Sequence, residues 1–186
     1  MRQPPLMSHR ANSLIVSDRT PLIRAQLPSL QGVWDILDRV LDPEVPVVSV
    51  VELGIIRDLE WQQQRLQVTL TPTYSGCPAT AFIEEEILQA LHQAGIPDVQ
   101  LRQQLAPAWT TDWISESGRN KLRDYGIAPP VGSASKRSLL GEDPIVACPQ
   151  CGSEHTERVS EFGSTACKAL YRCTDCLEPF DYFKCI

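Results

Sequence analysis

Six of the seven cysteines in this chain lie between Pro144 and Ile186, and four of them are spaced as Cys148-x2-Cys151, then 21 residues, then Cys173-x2-Cys176. Two residues between paired cysteines let the backbone turn so that both sulfurs point inward, and four thiolates close a tetrahedron around a divalent ion. No position is left for water, so such a site is structural rather than catalytic. The spacing predicts zinc, although sulfur ligation alone also suits a rubredoxin-like iron or a cluster. A redox-dithiol reading has less in its favour, because neither pair sits in a βαβ pattern. Gly152 follows the second cysteine, where a tight turn calls for positive φ. Cys167 and Cys185 fall outside the four. If the hairpin pivots on Cys176, paired residue numbers sum to 352 and Cys167 faces Cys185. Those two either fill a thin ribbon core or form a second ligand pair or a reversible disulfide.

The remaining cysteine, Cys77, ends the loop Pro72-Thr73-Tyr74-Ser75-Gly76-Cys77, and Pro78 opens a helix behind it. That order predicts Cys77 as the N-cap, its sulfur beside unpaired amide groups at the positive end of the helix, which favours the thiolate. Such a thiol suits a nucleophile or a transient metal ligand; the alternative is a cysteine tolerated at a turn. Asp42, Glu44 and Glu52 flank a proline-containing connection and are placed to approach the same site, although loop carboxylates are usually solvated. No histidine can be set beside Cys77 from spacing, so a Cys-His hydrolase has little support. His155 is expected in solvent, because the four-sulfur set is already complete.

The elements that must hold these groups follow from periodicity. Ser29 caps a helix whose apolar residues Leu30, Val33, Trp34, Leu37, Val40 and Leu41 share a face, and Asp42-Pro43 is expected to end it. Ile55 to Trp61 and Arg65 to Thr71 read as paired strands. The helix opened by Pro78 carries Phe82, Ile83, Ile87, Leu88 and Leu91 until Gly95 stops it. Asp98 to Leu105 reads as a third strand, and Ser115 to Tyr125 as a short helix closed by Gly126. Trp109 and Trp113 either pack on the sheet or meet a partner, and burial is the better expectation. Ala166 to Arg172 and Pro179 to Cys185 read as the hairpin of a ribbon.

The fold class expected is therefore α+β: a small mixed sheet with packed helices over 29–127, followed by a four-cysteine zinc-ribbon-like β domain over 144–186. Residues 1–28, with four Arg and four Pro, read as a flexible leader, and 128–143, rich in Pro, Gly and Ser, as a linker. The terminal segment has too few apolar residues for a core of its own, so a bound ion must supply much of its folding free energy. The whole chain has 186 residues, is 42% hydrophobic and carries a net charge of −6. These values argue against disorder and against nucleic acid as a partner, since no basic patch gathers anywhere. No spanning stretch and no secretory signal is seen, so no membrane association is expected and a cytoplasmic location is.

Leu41-Asp42-Pro43-Glu44-Val45-Pro46, Ser49-Val50-Val51-Glu52-Leu53-Gly54-Ile55-Ile56 and Thr71-Pro72-Thr73-Tyr74-Ser75-Gly76-Cys77-Pro78 resemble the small domain shared by SufT and the cytosolic iron–sulfur assembly proteins, over about residues 30–127. Together with Ala106 to Ile114, Gly126 to Pro130, Cys148 to Ser153 and Phe162 to Cys173, the chain resembles the PaaD subunit family of bacterial phenylacetyl-CoA epoxidase. The resemblance implies a SufT-like assembly domain joined to a zinc ribbon. It also implies an accessory component of aerobic phenylacetate degradation, without catalytic residues of its own, that helps assemble an iron–sulfur or iron centre in a partner subunit of the epoxidase complex. In that family's pattern the reactive loop cysteine corresponds to Cys77, and the Asp-Pro-Glu and Glu-Leu-Gly motifs to Asp42 and Glu52. The cofactors implied are a structural zinc and a transient iron or iron–sulfur cluster. A scaffold subunit and a rubredoxin-like electron carrier stand as alternatives.

Overall fold

The computed structural model describes residues 27–131 and 144–184. Helix α1 spans Leu30–Leu37; its N-cap Ser29 accepts a hydrogen bond from the Gly32 N–H, and it buries Val33 and Leu37. It stops short of the expected Leu41. Val50 N–H donates to the Val40 carbonyl and Asp42 N–H to the Val48 carbonyl, and Leu41 bridges Ser49, so 40–42 are drawn into extended backbone before the proline acts. Leu41 is accordingly exposed rather than on a helical core face.

Strands β1 (Ile56–Gln62) and β2 (Arg65–Leu70) form an antiparallel pair, within a residue of expectation. Helix α2 (Ala79–Gln93) then carries the chain back to β3 (Val99–Gln103), which lies parallel to β2. The sheet order is β1-β2-β3. The buried row of α2 is Ala79, Ile83, Ile87 and Leu91, a strict four-residue repeat; Phe82, expected inward, lies off that row and is 50% exposed. After a short 3-10 turn at Thr111–Trp113, α3 covers Glu116–Asp124 with Ser115 as its cap. Trp109 is buried as expected; Trp113 is half-buried, with the Arg57 guanidinium 3.6 Å from its ring centre. Gly54 is required here: its φ is +69°, and a Cβ on it would lie 2.7 Å from Trp113.

The second sheet has the order β4-β7-β6-β5. Strands β5 (Thr156–Ser160), β6 (Lys168–Cys173) and β7 (Pro179–Phe183) make an antiparallel ribbon. Strand β4 (Ile127–Ala128) follows α3 directly and pairs with β7 in parallel. Ala128, read from sequence as the first linker residue, is thus a buried strand residue, because β7 offers it a ladder partner. Residues 132–143 of that linker, and 1–26 of the leader, lie outside the described residues.

The ribbon has a small aromatic core in which Tyr171 stacks on Phe180 and meets Tyr182 edge-on. The main core joins α1, α2 and the first sheet, and it also takes in Cys167 and Phe183 from the ribbon. The two halves therefore share apolar packing as well as a strand ladder.

Candidate functional site

The four cysteines of the ribbon converge. All four Sγ atoms lie within 4.8 Å of one another, with Cys148 to Cys176 at 3.7 Å and Cys151 to Cys173 at 3.6 Å. Sulfurs bound at about 2.3 Å to one tetrahedral ion are separated by about 3.8 Å, whereas a disulfide brings them to about 2.05 Å. The distances fit a metal tetrad and not a bonded pair. Each pair sits on a tight turn. Gly152 adopts φ +76° and donates its N–H to the Cys148 carbonyl, and the Cys176 N–H points at Cys173 Sγ from 3.5 Å. His155 is solvent-facing and hydrogen-bonds Asp175, outside the sulfur set.

The ribbon hairpin corrects the expected register. Arg172 faces Pro179 and Lys168 faces Phe183, so paired numbers sum to 351 rather than 352. The turn centres between Asp175 and Cys176, with Leu177 in the left-handed region at φ +67° and the Cys173 N–H donating to the Glu178 carbonyl. Cys167 is consequently opposite Lys184, whose N–H donates to its carbonyl. Cys185 lies outside the described residues.

Cys77 sits one position before the N-cap of α2, which is Pro78, so the sequence placed it one residue too far along. Its loop is set by Gly76 at φ +81°, by its own N–H donating to the Tyr74 carbonyl, and by the Thr80 N–H donating to the Cys77 carbonyl. The half-buried thiol lines a cavity shared with Asp42, Glu44 and Cys167, walled by apolar residues that include Ile83 and Phe183. Tyr74 stands beside it; burial, contact with the Cys77 thiol and the Glu44 charge push its phenol up to about 12.

Asp42 reaches this cavity and is 8% exposed. Its Oδ1 accepts from the Glu44 and Val45 N–H groups, both at 2.9 Å, closing the turn that the Asp-Pro-Glu motif implies. Burial nevertheless raises its carboxyl above the ordinary value, reinforced by Glu44 and opposed by those amides and Lys168.

Glu52 is elsewhere. Its carboxylate accepts from Ser117 Oγ at 2.6 Å, from the Ser49 N–H at 3.0 Å and from Lys121 Nζ at 2.7 Å, while its carbonyl accepts from the Ser115 N–H. It fastens α3 to the turn before β1, and the structure does not bring it to the Cys77 cavity. Burial works against its ionisation, but the Lys121, Ser117 and Ser49 hydrogen bonds outweigh it and hold the carboxyl below its ordinary 4.5. A lowered folded-state pKa contributes stability that is fully present above the unfolded value and is lost as pH falls through the folded one. Glu52→Gln is therefore expected to cost roughly 1–3 kcal/mol at pH 7, with the gap to the parent narrowing as pH drops below 4.5. Urea unfolding of both proteins at a series of pH values checks this. The difference cancels the opposite contribution of Asp42, and a gap independent of pH would overturn it.

Sequence reasoning missed Cys167 as part of the lining of the Cys77 cavity, because it followed the hairpin of the ribbon and not the packing between halves. The signal available was the alternation Cys167, Ala169, Tyr171, Cys173, which marks an inward face running past the end of β6.

Residues 132–184 match the family described as the PaaD zinc beta ribbon domain, and residues 30–100 match the iron-sulfur cluster assembly protein family. A protein of Escherichia coli (strain K12), provisionally named as one of the subunits of 1,2-phenylacetyl-CoA epoxidase, is 48% identical over 159 residues, 86% of this chain and 94% of its own length. A protein of Bacillus subtilis (strain 168), named Fe-S protein maturation auxiliary factor YitW, is 33% identical over 96 residues, 50% of this chain and 91% of its own. Among solved structures, a domain of unknown function from Bacillus anthracis is 23% identical, with a TM-score of 0.46, covering 50% of this chain and 89% of its own. With an assembly-type half, a four-sulfur ribbon and a full-length relative at that identity, the chain belongs to the PaaD family of phenylacetyl-CoA epoxidase subunits.

Proposed function

We propose that this protein is an accessory maturation subunit of a phenylacetyl-CoA epoxidase system, helping to assemble an iron or iron–sulfur centre in a partner subunit of the complex. The observation that carries this reading is the Cys77 cavity, a half-buried thiol beside Asp42 and Glu44 in the half that matches the assembly family. Transient iron handling needs a sulfur that is reachable yet screened from bulk solvent. The names of the two relatives support both parts of the reading, one as an epoxidase subunit and one as a maturation factor. No helix among the described residues is long and apolar enough to cross a membrane, and the protein is proposed to act in the cytoplasm.

The ribbon's ion is proposed to be structural zinc. The purified protein is then colourless with one zinc per chain, whereas visible ferric-thiolate or cluster absorption would turn the reading toward electron transfer.

The test of function is genetic. In a host carrying Cys77→Ser, the oxygenase and reductase components are purified and their iron and acid-labile sulfide counted. A several-fold fall in the client component is expected, with the variant itself still folded and metal-loaded. Undiminished iron and sulfide in every component would sink a required role for this thiol.

A further inference from the structure

Among the described residues the two sheets end in the edge strands β1, β3, β4 and β5, and three of these edges are blunted. β1 has a register shift between Ile56 and Asp58 and carries the charges of Arg57, Asp58 and Glu60. β5 has a shift between Arg158 and Ser160 and carries Glu157 and Arg158, while β4 is only two residues long. Bulges, charges and short length guard an edge because open main-chain groups recruit another strand. β3 has none of these guards: its ladder with β2 runs unbroken from Val99 to Gln103, and Arg102 is its one charge.

The ladder also fixes which groups face outward. The Leu66 N–H donates to the Asp98 carbonyl, and the Gln104 N–H to the Leu70 carbonyl. Alternate residues of a parallel ladder turn their N–H and C=O to the neighbour, so Gln100 and Arg102 complete the row toward β2. Val99, Leu101 and Gln103 then present theirs on the open side. Of the side chains, Val99 and Leu101 lie half-buried against the main core, whereas Asp98, Gln100 and Arg102 are exposed on the opposite face. Asp98 gives Oδ1 to Arg65 Nε at 2.9 Å and keeps its second oxygen open. Arg102 has no ion pair or hydrogen bond among the described residues.

We propose that the β3 edge pairs with the β3 edge of a second copy of this chain, antiparallel about a two-fold axis at Gln100. In that register Val99 and Leu101 of the second copy exchange both main-chain bonds, and their apolar side chains meet on one face. On the other face Arg102 lies opposite Asp98 of the second copy, and the symmetry makes that pair twice. The edge is thus complementary to itself in charge and in polarity, as an isologous contact requires. The neighbouring registers are not. Centred on Leu101, the ladder sets Val99 against Gln103; centred on Arg102, it sets the two guanidinium groups face to face, which is destabilising. Pairing joins the two three-stranded sheets into one of six strands. Because β2 runs parallel to β3, the Cys77 loops that follow β2 come to opposite ends of that sheet.

Sedimentation equilibrium of the full chain with its ribbon loaded, from about 1 μM to about 1 mM, tests this. A monomer–dimer equilibrium is expected, because a strand pair of this length sits at the small end of protein interfaces. Amide exchange at Val99 and Leu101 should slow as concentration rises, while Gln100 and Arg102 are slow throughout. Arg102→Asp and Asp98→Lys, both at exposed positions, should each weaken the dimer roughly tenfold or more, since two attractive pairs become two repulsive ones. Mixed in equal amounts, the two variants should form a heterodimer, because every facing pair is then of opposite sign. A parent that stays monomeric at about 1 mM, a dimer that neither variant weakens, or variants that stay apart on mixing overturns the proposal. Slowing of the same amides only after the purified epoxidase components are added also overturns it, and gives the edge to a client instead.

Discussion

Replacing Cys173 by serine is expected to release the ribbon's metal ion, open 144–184 to protease, and lower the melting temperature of the rest of the chain. The first effect is large because the ribbon has so little else. It supplies seven residues to its apolar cluster, mostly Tyr, Phe and Cys, with Ala128 of β4 as the eighth, while metal binding in small zinc domains supplies about 10–16 kcal/mol of folding free energy. Serine neither matches the thiolate's affinity for a borderline-soft ion nor reaches the same bond length, so the tetrahedron loses a vertex. The effect then spreads, because Phe183 and Cys167 belong to the main core and β7 is the one ladder partner of β4 among the described residues. Metal analysis, limited proteolysis and near-ultraviolet dichroism of Tyr171, Phe180 and Tyr182 follow the three steps. Chelation of the parent protein should reproduce them. A variant that keeps one ion per chain and the parent's protease pattern would refute the structural role of the tetrad.

Trp109→Ala is expected to cost about 3–5 kcal/mol, as for other buried aromatic residues cut back to alanine. Two interactions are lost together. The indole N–H donates to the Leu53 carbonyl at 2.9 Å, and the ring meets Phe183 of β7 with centroids 6.2 Å apart, tilted by 59°. The first holds the chain after β3 against the Glu-Leu-Gly turn, and the second fastens that segment after β3 to the ribbon. Trp109→Phe keeps an aromatic ring and leaves the buried Leu53 carbonyl without its donor, a loss of about 1–3 kcal/mol. Denaturant unfolding of the three proteins should give midpoints in the order parent, Phe, Ala. An alanine variant within about 1 kcal/mol of the parent would mean that the two halves are not coupled through this residue.

Both predictions concern the seam, and the seam is where reading the sequence was weakest. Element type was legible for most of the first half, because α2 repeats its apolar residues every four positions and β2 every two. The end of α1 was not, since ladder bonds from Val48 and Val50 decide it. Strands β4 and β5 left no periodic trace: one is two residues long, and the other is an almost wholly exposed edge with a single apolar residue, Val159. Of the candidate site, Cys77 and Asp42 were picked out and do share a cavity. Glu52 stands in the same stretch of motif but turns toward α3, and no spacing rule separates a ligand carboxylate from one that caps a turn.

The sequence by itself determined the metal tetrad, because four sulfurs on two short turns can satisfy one ion whatever surrounds them. It also determined the loop that puts Cys77 at the start of a helix, because glycine and proline act on their own backbone. Only the tertiary structure decided that Cys167 lines the cavity of Cys77 and that Phe183 packs on Trp109. Those contacts arise from burying apolar surface between segments far apart in the chain, and burial is non-directional, so no local pattern records which surfaces will meet.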